Sequence, residues 1–207
     1  MSDTTVIIKT IGRKTLPQAI ASAKREGFKP LVISDGVNCH VKGAKHIKLG
    51  KRWGYYGGMA ANVGAAMAET EFITFLDDDD EFAEGAGEVI RTKLKEHPDV
   101  DVWIGGVRFN QEISVNNTST GEKMLTSRDL SMNGNLGVIP GNVCMPTYRT
   151  KVFSKIPFTD SVPPEDDNLT DFLHIRACQM GGYSIAWFNH LIYLVRPQAG
   201  GVNGGGQ

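Results

Sequence analysis

The sequence predicts a single α/β domain built on a central, mostly parallel sheet flanked by helices. A strand–helix–strand unit at the start predicts it, and so does a buried strand further on that runs straight into four aspartates. Thr5 to Lys9 (Thr-Val-Ile-Ile-Lys) is β-branched and reads as the first strand. Thr10-Ile11-Gly12-Arg13 is a turn at its carboxyl end. Thr15-Leu16-Pro17-Gln18 matches a capping box, with Pro tolerated in the first helical turn. Leu16, Ala19, Ile20 and Ala23 share one helical face, and Gly27 is the expected stop. Leu31 to Ser34 is the second strand and ends at Asp35-Gly36. Strands joined through a helix in this way lie parallel, with a right-handed crossover.

Glu71 to Leu76 reads as a buried strand, and Asp77-Asp78-Asp79-Asp80 follows without a break. The aspartates therefore sit at the strand's carboxyl end, the edge where open α/β sheets bind ligands. Asp35 arrives at the same edge, although before a glycine it also suits a plain turn. Neighbouring carboxylates repel by about 4 kcal/mol per close pair at an effective dielectric near 20. A hard divalent cation such as Mg²⁺ or Mn²⁺ relieves that repulsion. The bland alternative is a solvated acidic loop capping the next helix.

Composition bounds the rest. The chain has 207 residues, enough for one domain with a full core, and expected limits of 1–199 followed by a Gly-rich, mobile tail over 200–207. A net charge of −1 gives no overall pull toward nucleic acid or membrane. Cys39, Cys144 and Cys178 are odd in number and lack metal-type spacing, which fits a reducing compartment. With no signal peptide and no apolar run of spanning length, the expectation is a cytoplasmic protein without membrane insertion.

Further along, His46 to Leu49 is a short strand, and the basic, aromatic and Gly-rich Lys51 to Gly58 suits either phosphate or base contact or a surface loop. Met59 to Glu69 is an Ala-rich helix whose two leading glycines can expose N–H groups to an anion. Val89, Ile90 and Leu94 mark the helix after the aspartates, which stops before Pro98. Val100 to Val107 is a strand that Arg108 to Val115 can pair with, and 116–140 is an irregular excursion. Asn142 to Met145 is a short strand and Tyr148 to Phe153 a helical turn. Glu165-Asp166-Asp167-Asn168 opens a helix that carries Leu169, Phe172, Leu173, Ile175 and Met180. Tyr183 to Phe188 and Leu191 to Val195 are the last strands.

Four segments, in order, resemble the family two glycosyltransferases of the GT-A fold. Val6 to Thr10 resembles the family's first strand, where Pro usually stands in place of Lys9. Val32 to Gly36 resembles the second strand with its nucleobase-binding Asp. Ala60 to Gly64, then Phe75 to Asp80, resembles the helix and the metal-binding Asp-x-Asp loop. Pro164 to Leu169, with Arg176 and Gly181 downstream, resembles the acidic motif that supplies the base. The resemblance runs from Val6 to about Arg196.

That resemblance implies a Rossmann-like GT-A domain that moves a sugar from a nucleotide-sugar donor to an acceptor hydroxyl, with inversion and with Mn²⁺ or Mg²⁺. It implies Asp79 as the main metal ligand, with Asp77 on metal or ribose and Asp80 near the donor sugar. The unbroken run leaves the register open by one residue. Asp35 would hold the nucleobase, with Thr10 and Arg13 beside it; Asn62 and Arg196 complete the donor set. Asp166 would be the base and Glu165 its competitor, although either also suits plain charge stabilisation of a helix N-terminus. Many relatives carry a His shortly after the last strand; Arg196-Pro197-Gln198 lacks it, and His190 is the substitute.

The chemistry of the residues agrees, since a departing diphosphate needs a cation and an attacking hydroxyl needs a base. A sugar-phosphate nucleotidyltransferase is the alternative, but Thr10 to Arg13 holds one glycine where a Gly-rich phosphate loop is needed. A non-catalytic nucleotide-sugar-binding module is a further alternative, against which the intact acidic motifs argue. A dinucleotide dehydrogenase is excluded because no Gly-x-Gly-x-x-Gly follows the first strand. The acceptor stays open among a protein, a soluble glycan, a small molecule and a hydroxylated DNA base. Lys42, Lys45, Lys48, Lys51 and Arg52 suit nucleic acid, or simply a solvated basic face.

Overall fold

The computed structural model describes residues 4–54, 57–109, 112–114, 122–124, 146–158 and 170–195. The expected strand at Asn142 to Met145, most of the 116–140 excursion and the 200–207 tail lie outside these residues, as does Cys144.

The first half follows the expected strand–helix alternation. It contains β1 (Thr4–Thr10), α1 (Leu16–Arg25), β2 (Lys29–Ser34), β3 (Lys45–Lys48), α2 (Gly58–Met67), β4 (Phe72–Asp77), β5 (Glu81–Phe82) and α3 (Ala86–Glu96). The second half contains β6 (Val102–Phe109), β7 (Glu112–Ser114), β8 (Glu122–Met124), β9 (Thr147–Arg149), α4 (Thr150–Lys155), α5 (Thr170–Met180) and β10 (Ile185–Val195). The sheet order is β3-β2-β1-β4-β9-β6-β10-β5, with β7 on β6 and β8 on β10. Strands β3, β2, β1 and β4 are all parallel. Beyond β4 the sheet is mixed: β9 runs antiparallel to both neighbours, and β10 is parallel to β6.

Period-2 alternation sorts the core into two layers. Ile7, Leu31, Ile33, Ile73 and Phe75 face one side, under Ala60, Ala61 and Ala65 of α2, Val152 and Phe153 of α4, and Ile175 of α5. Val6, Ile8, Val32, Phe72 and Leu76 face the other, under Leu16, Ala19, Ile20 and Ala23 of α1 and Ile90 and Leu94 of α3. Each fully buried Ile, Leu or Phe contributes about 1.5–3 kcal/mol. The small residues of α2 let it lie close on β1. A Cβ on Gly64 would stand 2.3 Å from Ile7 Cγ2, so even alanine there would push the helix away.

Some local expectations fail for identifiable reasons. Thr15 takes up helical backbone angles (φ −82°, ψ −11°) and makes no side-chain capping bond, so the capping box does not form. Tyr148 belongs to β9, and the helix begins two residues later, because β9 is held between β4 and β6. The two expected late strands are one strand, β10, with register irregularities between Trp187 and Tyr193. Strand β5 pairs with β10, a partner far away in sequence that local patterning does not reveal.

His174 joins α5 to α4 and β9. Its Nε2–H donates to the Ile156 carbonyl at 2.6 Å. That leaves Nδ1 to accept from the Tyr148 hydroxyl at 3.1 Å. Burial pushes its pKa down to about 4, although the bond to Ile156 works the other way. The unfolded chain therefore binds a proton that the folded chain refuses. This stabilisation is present above pH ~6.5 and is lost as pH falls toward ~4, a span of roughly 3 kcal/mol. Urea unfolding of wild type and His174→Gln at pH 7 and pH 4.5 should show the stability gap between them narrowing by about 2–3 kcal/mol at the lower pH. The carboxylates common to both proteins cancel in that difference, and a constant gap would refute a depressed His174.

Candidate functional site

The carboxyl ends of β1, β2 and β4 share one edge of the sheet. Strand order reverses between β1 and β4, with β2 and β3 on one side of β1 and β4 on the other. Ligands of open α/β sheets bind at such a switch point. Thr10 ends β1, Asp35 follows β2, and the four aspartates begin with Asp77 at the end of β4.

The aspartates form a turn, closed by Asp80 N–H donating to the Asp77 carbonyl at 3.2 Å. The turn divides their side chains between two directions. Asp78 is wholly buried and points at the β1–α1 turn. It accepts from the Thr10 hydroxyl, from the Ile11 and Arg13 N–H groups at 3.2 Å each, and from Arg13 Nη1 at 2.5 Å. Asp77, Asp79 and Asp80 converge elsewhere, each with a carboxylate oxygen within 4.8 Å of the others. Around an ion with bonds of about 2.1 Å, neighbouring ligands stand roughly 3 Å apart and opposite ones roughly 4.2 Å. Three hard carboxylate oxygens gathered within 4.8 Å could hold a divalent cation. The acidic run is not the cap of α3, which begins at Ala86 after Gly85.

Other side chains fix this cluster. Tyr193 of β10 donates its hydroxyl to Asp80 Oδ2 at 2.5 Å and accepts from Asp77 N–H at 3.2 Å. Lys9 Nζ lies 3.0 Å from Asp77 Oδ1. Arg13 Nε lies 3.6 Å from Asp79 Oδ2. Burial works against the Arg13 charge, but the hydrogen bond to Asp78 and the charges of Asp78, Asp79 and Asp77 outweigh it and raise its pKa. Two cations thus stand beside the aspartates. Strand pairing sets Lys9 beside Asp77, a neighbour 68 residues away that sequence spacing hides.

Asp35 is also buried, and its two oxygens accept from Trp53 N–H and Gly54 N–H at 2.8 Å each. That ties the loop before α2 to the end of β2. Trp53 stays 40% exposed next to Asp35, with the Lys51 ammonium 4.1 Å from its ring centroid. Within the basic segment, Lys45 pairs with Glu69 and Lys48 donates to Asn38. Asn62 stands apart from the cluster: both ends of its amide bond the Phe158 backbone, at 2.9 and 3.0 Å. Glu165, Asp166 and Arg196 lie outside the described residues. His190 is exposed on β10.

Sequence reasoning missed three residues of this edge: Lys9, Tyr193 and Asp171. Helix α5, described from Thr170 onward, carries Asp171. Loss of water raises the Asp171 pKa to about 6; Lys9 opposes the rise and Asp77 adds to it. Asp171 thus belongs to the same electrostatic neighbourhood as the acidic turn. The denser acidic run Glu165-Asp166-Asp167 drew attention away from it in the sequence.

Comparison with known proteins agrees with this geometry. No curated protein sequence matches the chain. Among solved structures, residues 1–349 of S. aureus TarS match with a TM-score of 0.69 and 18% identity, over 94% of this chain and 60% of that one. The same TarS fragment in complex with UDP-GlcNAc matches with a TM-score of 0.62 and 16% identity, over 93% of this chain and 58% of that one. Its complex with UDP gives 0.62 and 17%, over 93% and 60%. At such identities the likeness shows the fold, and the chain spans about 60% of the TarS fragment's length. The model for "Glycosyl transferase family 2" matches residues 5–156, most of the chain from β1 through α4. The chain belongs to glycosyl transferase family 2.

Proposed function

We propose that this chain transfers a sugar from a nucleoside-diphosphate donor to an acceptor hydroxyl, with inversion at the anomeric carbon. The observation that carries the reading is the convergence of Asp77, Asp79 and Asp80 at the switch point, beside Asp35, in a family 2 chain. The TarS complexes with UDP-GlcNAc and UDP support a donor of this class.

Asp77, Asp79 and Asp80 would hold Mn²⁺ or Mg²⁺, which supplies Lewis-acid stabilisation of the departing diphosphate. Asp35 accepts from the nucleobase through lone pairs not taken by Trp53 and Gly54, with Thr10 and Arg13 beside it. The Asn62 amide is spent on the Phe158 backbone, and the resemblance implies Arg196 in the donor set. A carboxylate takes the acceptor's proton as the new C–O bond forms and the bond to phosphate breaks. The resemblance puts that base at Asp166, with Glu165 competing. The coupling of Asp171 to Lys9 and Asp77 carries a second reading, with Asp171 as base. A pKa near the working pH suits the task. The acceptor class stays as open as the sequence left it. No helix among the described residues is long and apolar enough to cross a membrane.

Transfer rate and donor affinity measured on Asp166→Asn, Glu165→Gln and Asp171→Asn decide the base. The true base loses roughly 10²- to 10⁴-fold in turnover and keeps donor binding. If all three variants transfer normally, the chain has no carboxylate base in this region.

Asp79→Ala should abolish turnover while leaving stability near wild type. Asp78→Ala should instead lose about 3 kcal/mol, at the lower end for a broken buried pair because Arg13 can reach water. Thermal melts beside activity assays separate the two, and a stable, inactive Asp78→Ala would shift the metal register by one residue.

Calorimetry with a nucleoside diphosphate should show binding at least tenfold weaker in EDTA than with Mn²⁺. Lys9 and Arg13 account for the residue of affinity that remains. Equal affinity in both conditions would remove the metal from the mechanism.

A further inference from the structure

Beyond residual donor affinity, Lys9 has no role in the reaction derived so far, yet it stands at the centre of the site's charge. Its ammonium is 3.0 Å from Asp77 Oδ1, and its side chain is 12% exposed against 38% for Asp77. Lys9 and Asp77 are direct partners in the parallel β1–β4 register, so their side chains leave the sheet on the same face. The stem of Lys9 is held as well. Gly57, in the left-handed region at φ +79°, caps α2, and a Cβ there would stand 3.0 Å from Lys9 Cδ. Asp171 feels the Lys9 charge from the other side. The packed stem and the parallel pairing hold the ammonium beside Asp77.

We propose that Lys9 is a built-in counter-ion of the acidic turn, which competes with a divalent cation for Asp77 and so weakens metal binding in the donor-free protein. The inference rests on the metal reading above. Without metal, Lys9 relieves the repulsion among the carboxylates and keeps Asp77 in place. A divalent cation must displace the ammonium from Asp77 or share the carboxylate with it. The diphosphate of an incoming donor adds negative charge that favours both cations, so metal and donor bind together more readily than metal alone. Lys9 acts here as a positioning residue, through Asp77.

The test measures Mn²⁺ binding to donor-free protein by paramagnetic resonance or calorimetry. Lys9→Met should bind Mn²⁺ roughly fivefold more tightly than wild type, the scale of one partly exposed ion pair. Lys9→Arg should restore wild-type affinity, and Lys95→Met, which removes an exposed charge on α3, should leave it unchanged. Adding a nucleoside diphosphate should raise Mn²⁺ affinity more in wild type than in Lys9→Met. A merely structural role would weaken metal binding when Lys9 is lost, so tighter binding separates the two. Circular dichroism confirms folding, and Lys9→Gln repeats the comparison if Lys9→Met does not fold. Equal, measurable affinities in wild type and Lys9→Met would overturn the role of Lys9 and leave the metal site standing. Absence of Mn²⁺ binding in both, with nucleoside diphosphate present, would overturn the metal reading as well.

Discussion

A carboxylate with no exposure cannot stay charged without partners, and Asp78 shows how this protein supplies them. Its donors all come from the turn after β1: a hydroxyl, two backbone N–H groups and a guanidinium. Bonding to Asp78 fixes the path of Thr10 to Arg13, which flank the donor edge. The same bonds fix the acidic turn from below, so that its other three carboxylates have one arrangement. Two loops 65 to 68 residues apart are thereby held as one rigid floor. Asp78, the residue between Asp77 and Asp79, is thus a structural anchor.

The fold was readable where burial imposes a period. β1, β2 and β4 alternate between two apolar faces, and α1 shows a clear stripe, so the parallel half of the sheet followed from the sequence. The aspartates were readable as a site because a buried strand delivers four like charges to one edge. What failed depends on partners distant in sequence. Tyr148 has no local mark that sets it in a strand between β4 and β6. Asn62 resembles a donor ligand in its motif, yet its amide bridges α2 to Phe158, 96 residues on. Lys9 reads as an ordinary strand-end lysine until β4 is laid beside it. Asp171 was passed over for the denser acidic run that precedes it in sequence.

The charge balance of the edge is local rather than global. A chain with net charge −1 gathers four aspartates into one turn and sets Lys9 and Arg13 against three of them. Tyr193 bonds the fourth by a neutral hydrogen bond. Such pairing keeps like charges at short range without pushing the turn open. It also explains how an acidic cluster can be pre-organised before any ligand arrives, which lowers the reorganisation needed at the moment of reaction.

Tyr193 carries one more consequence. The hydroxyl that fixes Asp80 and the Asp77 N–H belongs to β10, 113 residues after Asp80 and the last strand described. During synthesis the amino-terminal portion emerges first, and β1 to β4 can pair before β10 exists. A nascent chain would then carry the parallel edge with an acidic turn not yet held. The turn takes its final arrangement only when β10 docks, so the acidic cluster and the finished sheet arrive in the same step.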